Sequence, residues 1–185
     1  MATLKDQSDM SDRRVLITGG AGHLGRVMAE TLVELGASII VLDSSKAQIK
    51  SIQDNVAYQW KANCSFIECD LESEEERNFA IREIKSDGKG LNCLINNAAF
   101  GGATSLEGWV TSFETQSLAT WRRALEVNLT APFHFAQALT PELRSAEGGN
   151  IINITSIYGE LGPDGRLYDG TIMGNPAAYG ASKGG

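Results

Sequence analysis

The sequence predicts a doubly wound α/β fold, in which helices cover both faces of a parallel sheet and give three layers. Two observations predict it. Short apolar runs typical of buried strands alternate with segments of helical periodicity, and a glycine-rich turn joins the first run to the first helical segment. Strands that alternate with helices form right-handed βαβ units, which place the strands parallel in one sheet.

Five short apolar runs predict the strands. Continuous apolar runs that end at polar or turn residues fit strands buried on both faces. The second run ends at Asp43 and the third at Asp70, so each of these strands delivers a carboxylate to its carboxyl end. The predicted strands are residues 14–18, 38–42, 65–69, 91–95 and 150–155.

The first two helices follow the first two strands. One helix ends at Gly36, a typical left-handed C′ residue, and the other is a polar helix over residues 45–56. Apolar residues recur every three or four positions in the first of them, at Leu24, Val27, Met28, Thr31, Leu32 and Leu35.

Local signals also define the later helices. Ser73 and Glu76 have the spacing of a capping box, which predicts a helix from residue 74 to about residue 85. A long helix over residues 118–143 should be kinked or interrupted at Pro132. An irregular stretch with glycines and prolines then precedes a last helix.

The composition is that of one globular domain. The chain has 185 residues, 42% of them hydrophobic, and a net charge of −7. We expect a flexible N-terminal tail over residues 1–12 and one domain over residues 13–185. Binding to nucleic acid needs clustered Lys and Arg, which the sequence lacks, so no nucleic-acid partner is expected.

Cysteine usage and hydropathy predict the compartment. Cys64, Cys69 and Cys93 lack the spacing of metal ligands, so we predict no metal site. Cys69 and Cys93 lie in apolar strand-like runs, so we predict that these two thiols are buried. No apolar run approaches the length of a membrane span, and the polar start lacks the apolar stretch of a signal peptide. We therefore expect a cytoplasmic protein without a membrane partner.

The glycine-rich turn between the first strand and the first helix predicts a dinucleotide site. Glycines let backbone N–H groups approach a phosphate, and the helix N-terminus favours its negative charge. An ordinary tight turn is the alternative interpretation, but a flanking strand and helix favour the dinucleotide. The turn is Gly19-Gly20-Ala21-Gly22-His23-Leu24-Gly25, and we interpret His23 as a solvent-facing turn residue.

Asp43 predicts which dinucleotide binds. A carboxylate at the end of the second strand can accept both ribose hydroxyls of adenosine and would repel a 2′-phosphate. Its neighbour Ser44 is not a cation, so we favour NAD over NADP. Two alternatives stay open: Asp43 could only cap the next helix, and Arg26 and Lys46 could accommodate NADP.

A phenol and an ammonium lie near the end of the chain. Tyr179 and Lys183 are four positions apart, so on a helix they share a face. A nearby cation favours the phenolate, and such a phenol can exchange a proton with an alcohol or carbonyl oxygen. The spacing alone is common on exposed helices and gains its weight from the motifs that precede it.

Together these residues resemble the short-chain dehydrogenase/reductase family from Arg14 to Lys183. The turn begins with Thr18-Gly19, as in that family, and five further segments match in order. The resemblance implies a Rossmann-type domain that binds NAD(P). The matching segments are Asp70 with the adjacent Leu71, Asn96-Asn97-Ala98-Ala99, Val127-Asn128-Leu129, Ile154-Thr155-Ser156, and Tyr179 with Lys183.

The resemblance also implies the role of each residue. Tyr179 would be the general acid/base, and Lys183 would favour its phenolate and contact the nicotinamide ribose. Ser156 would bind the substrate oxygen, and Asn128 would hold a water linked to Lys183. Asp70 would contact adenine. The residues implied at the cofactor are Thr18, Gly19, Gly22, His23, Leu24, Gly25, Asp43, Asp70, Leu71, Asn97, Ala98, Ala99, Tyr179 and Lys183.

Three features depart from the family's short branch. The turn has glycine spacing that resembles the nucleotide-sugar branch, and Ala99 replaces a glycine. Ser156 lies 23 residues before Tyr179, which is longer than usual. The stretch from Tyr168 to Met173 is loosely similar to reductases of bacterial flagellin-glycosylation and sialic-acid-like sugar pathways.

We therefore expect an NAD(P)-dependent oxidoreductase that acts on a carbonyl or alcohol, with a sugar derivative favoured. The alternatives are a nucleotide-sugar dehydratase or epimerase with tightly bound NAD, and a non-catalytic dinucleotide-binding fragment. Because the family continues well beyond the lysine, we also expect a C-terminally incomplete domain, truncated after Lys183, that by itself is poorly soluble and weakly active. The full-length protein is expected to be a homodimer or homotetramer.

Overall fold

The computed structural model describes residue 3 and residues 7–55, 63–101 and 105–185. Its strands and α-helices alternate along the chain as the sequence predicts. The strands are β1 (Arg14–Thr18), β2 (Ser38–Asp43), β3 (Cys64–Glu68), β4 (Cys93–Asn96) and β5 (Asn150–Asn153). The helices are α1 (His23–Glu34), α2 (Lys46–Asn55), α3 (Glu74–Lys85), α4 (Leu118–Leu125), α5 (Ala131–Ala138), α6 (Thr140–Ser145) and α7 (Ala177–Gly184).

The five strands form one parallel sheet in the order β3-β2-β1-β4-β5. The chain moves outward from β1 to β3, then returns to place β4 on the other side of β1. Because crossovers between parallel strands are right-handed, this reversal puts helices on opposite faces. The doubly wound, Rossmann-type α/β fold predicted from the sequence is confirmed, and the reversal at β1 and β4 is where such sheets bind ligands.

Burial differs strongly between the strands. Residues of β1, β2 and β4 are almost all buried, which explains their continuous apolar runs. All four residues of β5 are exposed, including Ile151 and Ile152. Among the described strands, β5 is an edge strand that pairs with β4.

The predicted long helix is interrupted before Pro132. A five-residue π-helical turn, Glu126–Thr130, separates α4 from α5, and the N–H of Ala131 bonds to the carbonyl of Glu126. Pro132 has no N–H to donate to the carbonyl of Asn128, four residues earlier, so a regular α-helix cannot continue here. The interruption is confirmed, and its form is a π turn.

The capping box at α3 forms only in part. The Ser73 hydroxyl accepts the N–H of Glu76 at 3.2 Å, as predicted. The Glu76 carboxylate instead accepts the N–H of Asp70 at 2.7 Å, three residues before the cap. Glu76 therefore stabilises the loop that leads from β3 into α3.

Arg77 is a buried cation in this first turn of α3. Its side chain is 2% exposed, its Nε donates to Nδ1 of His134 at 3.2 Å, and its Nη1 donates to the carbonyl of Leu71. These bonds tie α3 to α5 and to the loop after β3. His134 is thus structural, as the sequence indicates.

We expect Arg77→Ala to lower the free energy of unfolding by about 3 kcal/mol, because it empties space and leaves buried acceptors unpaired. Chemical denaturation measures this change. Arg82→Ala, on the exposed side of the same helix, is the control and should cost less than about 1 kcal/mol. Equal losses in both variants would show that the Arg77 bonds do not stabilise the fold.

The described residues group into two compact units. One contains residues 1–98 and 134–153, which include the whole sheet, and the other contains residues 99–133 and 154–185. We call them the sheet unit and the catalytic-motif unit. Across the described residues, no helix combines the length and apolarity that crossing a membrane requires.

Candidate active site

In the sheet unit, the glycine turn after β1 is tightly closed. Gly19 has φ +62°, a conformation that favours glycine, and a Cβ there would lie 2.8 Å from Cα of Ala98. A Cβ on Gly25 would lie 2.2 Å from the carbonyl oxygen of Gly19. Both positions therefore require glycine, which explains the Gly19 and Gly25 spacing read from the sequence.

The turn delivers an uncapped helix N-terminus. Gly22 is the N-cap of α1 and offers no side chain, and the first turn of α1 contains no acidic residue. His23 and Leu24 begin the helix on the surface, and Leu24 is 61% exposed. N–H groups with no side-chain partner, together with the positive end of the helix dipole, can bind a phosphate.

Side chains from β1 and the loop after β4 brace this turn. The Thr18 hydroxyl accepts the N–H groups of Asn97 and Ala98, both at 3.1 Å. The Asn97 amide nitrogen donates to the carbonyls of Thr18 and Gly19 at 3.0 and 3.1 Å. Thr18, Asn97 and Ala98 therefore lie together beside the glycine turn.

Asp43 lies beside the turn at the end of β2. The residue is 8% exposed, and its carboxylate accepts the N–H groups of Ala21 at 3.1 Å and Ser45 at 3.0 Å. The cap of α2 is Ser45, whose hydroxyl accepts the N–H of Gln48. Asp43 thus contacts the glycine turn as well as the start of α2, so it does more than cap a helix.

Three other residues predicted at the cofactor lie outside the glycine turn. Asp70 is exposed, and its carboxylate accepts the N–H of Glu72 at 2.9 Å. Leu71 is buried, and Ala99 is exposed. The two cations that were alternatives for NADP pair with carboxylates: Arg26 with Glu30 at 2.7 Å, and Lys46 with Glu68 at 3.8 Å.

In the catalytic-motif unit, helix α7 bears Tyr179 and Lys183. The Tyr179 ring packs with an apolar cluster formed around Trp109, Ala124 and Ala178. Its hydroxyl makes no hydrogen bond to another described residue. Packing of the ring therefore holds the Tyr179 side chain, and no hydrogen bond from another described residue holds its oxygen.

Lys183 is fixed from two sides. Its ammonium donates to the carbonyl of Ile154 at 2.8 Å, and its own carbonyl accepts the hydroxyl of Thr155 at 2.6 Å. Burial lowers the pKa of Lys183 from its usual value. These contacts join α7 to the segment that leads to Ser156.

Ser156 caps a short 3₁₀ turn, Ile157–Gly159, by accepting the N–H of Tyr158 at 3.3 Å. Two glycines let this turn touch α7. A Cβ on Gly159 would lie 2.5 Å from the carbonyl oxygen of Lys183, and one on Gly184 would lie 2.7 Å from that of Gly159. The sequence reading missed both glycines, although the small residue after the tyrosine of Ser156-Ile157-Tyr158-Gly159 was a visible signal.

Asn128 lies in the π turn and is 9% exposed. Its amide nitrogen donates to the Ser182 hydroxyl at 2.9 Å, and its amide oxygen accepts the N–H of Phe100 at 2.6 Å. Ser182, which the sequence reading missed, lies between Tyr179 and Lys183. Since Pro132 cannot donate to the Asn128 carbonyl, that carbonyl has no partner at the position where an α-helix supplies one.

The two other phenols of this unit pair with each other. The hydroxyls of Tyr158 and Tyr168 are 2.8 Å apart, and this hydrogen bond raises the pKa of Tyr158. Neither has a lysine four residues later, so their chemistry differs from that of Tyr179.

The sequence profile described as "short chain dehydrogenase" matches residues 13–185. The chain belongs to this family. Among curated relatives, it is 32% identical over 152 residues to a 3-oxoacyl-[acyl-carrier-protein] reductase of Aquifex aeolicus, which covers 82% of the chain and 58% of the relative. It is also 32% identical over 149 residues to a probable galactose dehydrogenase of Rhizobium meliloti, which covers 80% of the chain and 56% of the relative.

Solved structures of the short-chain dehydrogenase family share the fold. A glucose/ribitol dehydrogenase-type protein of Brucella melitensis superposes with a TM-score of 0.78 at 21% identity, covering 95% of this chain and 65% of that one. An active-site complex of Pseudomonas aeruginosa RhlG with NADP gives 0.76 at 26% identity, covering 96% and 64%. The chain thus spans less than two thirds of the length of these relatives.

Proposed function

We propose that this short-chain dehydrogenase is an NAD-dependent oxidoreductase that transfers a hydride between nicotinamide and a carbonyl or alcohol substrate. One observation supports it above the others: on α7, Ser182 accepts a hydrogen bond from Asn128 and Lys183 donates to Ile154, whereas the Tyr179 hydroxyl bonds to no other described residue. Structural tyrosines are usually hydrogen-bonded when partly buried, whereas an acid/base must keep its oxygen available.

The chain's own residues account for the proton. When an alcohol is oxidised, its O–H proton would pass to the Tyr179 phenolate; when a carbonyl is reduced, the Tyr179 hydroxyl would return a proton to the oxygen. The Lys183 ammonium favours the phenolate, and Ser156 would donate to the substrate oxygen where charge develops. Nicotinamide, when bound, accepts or supplies the hydride.

The sheet unit has the features that a dinucleotide needs. The Gly19–Gly25 turn and the N-terminus of α1 would hold the pyrophosphate, with Thr18 and Asn97 keeping the turn closed. We propose NAD over NADP because the Asp43 carboxylate is next to the turn. The nearest alternative cations, Arg26 and Lys46, already pair with carboxylates.

We expect Asp43→Asn to reduce the preference for NAD over NADP by about tenfold, since it keeps the side chain's shape but removes the charge that repels a 2′-phosphate. Titration calorimetry with both nucleotides measures the ratio. Glu34→Gln is the control, because Glu34 is an exposed carboxylate at the opposite end of α1 from the glycine turn. An unchanged ratio in Asp43→Asn would contradict the NAD assignment.

The substrate class is a finer proposal. The relatives include a probable galactose dehydrogenase and an L-fucose dehydrogenase, but also an acyl-carrier-protein reductase and a 7alpha-hydroxysteroid dehydrogenase. We propose a small hydroxylated substrate and favour a sugar derivative, which the loose similarity of the Tyr168–Met173 stretch supports. We further propose a cytoplasmic homo-oligomer, consistent with three free thiols.

A direct assay tests the proposal. The protein is incubated with NAD and a panel of sugars, hydroxysteroids and other alcohols, and formation of reduced nicotinamide is followed. Turnover that depends on both the nucleotide and an alcohol supports an oxidoreductase. A preparation that is folded and binds NAD, yet turns over no alcohol or carbonyl, would favour a non-catalytic binding protein.

A further inference from the structure

Helix α7 begins without a capping side chain of its own. Its N-cap residue is Pro176, which has no polar side-chain atom and makes no side-chain hydrogen bond to the helix. The first N–H groups of a helix have no partner within it, so a group from outside must satisfy them. The N–H of Ala177 donates to the side-chain oxygen of Gln116 at 3.1 Å. Gln116, 61 residues earlier in the chain, thus takes the place of the missing cap.

The sequence of α7 makes this helix dependent on contacts from outside. It has only eight residues, and two of them are glycines, Gly180 and Gly184. Short helices are marginally stable by themselves, and glycine lowers helix propensity further. Tyr179 is the third residue of α7, so it lies in the first turn, where a helix without a cap frays. The bond to Ala177 therefore acts on the turn that carries the phenol.

The two ends of α7 are held by different contacts. Near the C-terminal end, the Lys183 ammonium donates to the carbonyl of Ile154 at 2.8 Å, and the Lys183 carbonyl accepts the Thr155 hydroxyl at 2.6 Å. The side-chain bond to the first turn comes from Gln116 instead. The lysine and the phenol of the catalytic pair are therefore fixed independently of each other.

Gln116 is itself held in place where α4 begins. Its N–H donates to the carbonyl of Phe113 at 3.3 Å, and the N–H of Ser117 donates to the carbonyl of Gly108 at 3.0 Å. Ser117 is the N-cap of α4, and its hydroxyl accepts the N–H groups of residues 119 and 120. Two adjacent residues therefore cap two helices, Gln116 at α7 and Ser117 at α4.

Helices α4 and α7 are also connected further along. Ala124 of α4 and Ala178 of α7 belong to one buried cluster. The π turn that follows α4 contains Asn128, whose amide nitrogen donates to the Ser182 hydroxyl of α7 at 2.9 Å. Along α7, Tyr179 lies between this connection and the Gln116 bond at the start of the helix.

We propose that Gln116 is a positioning residue of the active site: its amide oxygen fixes the first turn of α7 at the start of α4 and so places the Tyr179 hydroxyl for proton transfer. The inference rests on the proposed function, since it concerns the same acid/base. Because Lys183 is held separately, loss of the Gln116 bond should displace the phenol without disturbing the lysine.

Gln116→Leu and Gln116→Glu form the test pair. Leucine has a similar size but accepts no hydrogen bond, whereas glutamate keeps an oxygen acceptor and adds a charge that a helix N-terminus favours. Ser73→Ala is the matched control, because the Ser73 hydroxyl caps α3 in the sheet unit by accepting the N–H of Glu76 at 3.2 Å. Gln116→Leu and Ser73→Ala should each lower the Tm by about 3 °C, so any further difference between them does not come from stability.

Two NMR measurements follow α7 without turnover. In Gln116→Leu, the amides of Ala177 and Tyr179 should exchange with solvent about fivefold faster, because the first turn opens more often. The Tyr179 ring packs against the cluster around Trp109, so its ring-proton shifts, assigned by comparison with Tyr179→Phe, should change as the ring is displaced. Gln116→Glu and Ser73→Ala should keep the exchange rates and the ring shifts of the wild-type protein.

Steady-state kinetics and calorimetry with NAD give the third readout, with the substrate that the alcohol panel identifies. Gln116→Leu should lower kcat by about tenfold, since a displacement of about 1 Å at a reacting group has effects of up to about 10². Its NAD affinity should be unchanged, because neither Lys183 nor the glycine turn is altered. Gln116→Glu should restore most of the kcat, and Ser73→Ala should retain it.

Three results would overturn the inference: unchanged exchange at Ala177 in Gln116→Leu, a kcat in that variant no lower than in Ser73→Ala, or a Gln116→Glu variant as impaired as Gln116→Leu. Failure of the proposed function looks different. A wild-type protein that transfers no hydride, while Gln116→Leu still speeds exchange and changes the Tyr179 ring shifts, has the positioning contact without the reaction. The exchange rates and the ring shifts then decide the inference alone.

Discussion

Replacing Tyr179 with phenylalanine is expected to abolish hydride transfer and to leave dinucleotide binding unchanged. The substitution removes only the phenolic oxygen, and the ring that packs with Trp109 and Ala178 stays in place. Because that oxygen makes no hydrogen bond to another described residue, its loss breaks no contact of the fold. General acid/base catalysis is worth about 10² to 10⁴ in rate, so we expect kcat to fall by about 10³.

Steady-state turnover and NAD affinity, measured on the same preparation, separate the two effects. Tyr168→Phe is the matched control, since it removes a phenol that is hydrogen-bonded to Tyr158 and has no lysine four residues later. It should keep most of the turnover. If Tyr179→Phe retained near-native kcat, another group would be the acid/base, and a parallel loss of NAD affinity would mean that the variant disturbs more than proton transfer.

The fold was predictable because its signals are local. The apolar runs predicted all five strands to within two residues of their observed bounds, and the runs are continuous in β1, β2 and β4 because these strands are almost fully buried. The strand boundaries were predicted less accurately. The predicted fourth strand begins at Leu91, whereas β4 begins two residues later, at Cys93. Leu91 is buried too, and its N–H bonds to the carbonyl of Glu142, so apolarity alone cannot distinguish it from a strand residue.

The interruption before Pro132 was predictable only in part. A proline inside an apolar helical pattern always indicates a missing hydrogen bond, but not how the backbone accommodates it. Here the helix widens into a π turn, which places the Asn128 side chain between Phe100 and Ser182. That outcome depends on residues 28 and 54 positions away along the chain, which no local pattern reveals.

The residues of the candidate site divide in the same way, into those with a local sequence signal and those whose role depends on distant contacts. Residues within named motifs could be found because chemistry restricts their type and spacing, as with Tyr179 and Lys183. Gly159 had only a weak signal, a small residue after Tyr158, and Gly184 had none, because the roles of both arise from close backbone approaches. Glycine is common in turns, so a glycine in an irregular loop predicts a turn and not a close approach to another segment.

The second large effect is expected at Gly25, where alanine should disrupt the dinucleotide site. The added Cβ would lie 2.2 Å from the Gly19 oxygen and 2.7 Å from Cα of Gly20, both backbone atoms of the turn. No side chain can move aside to relieve these contacts, so the turn itself must shift. We expect NAD affinity to fall by about 10² or more, since a displacement of about 1 Å at a positioning element has effects of that size.

Gly22→Ala is the control that isolates the cause. It adds the same methyl group to the same turn, but its Cβ would lie 3.2 Å from the Gly19 oxygen, and Gly22 has φ −72°, which alanine adopts readily. The Gly19 oxygen needs to move only slightly, so Gly22→Ala should retain most of the NAD affinity and most of the stability. Calorimetry measures the NAD affinity, and thermal unfolding measures the stability. If both variants lost NAD binding equally, the methyl groups would be obstructing the nucleotide directly. If neither did, the turn would not be the phosphate site, and the dinucleotide assignment of the sheet unit would fall with it.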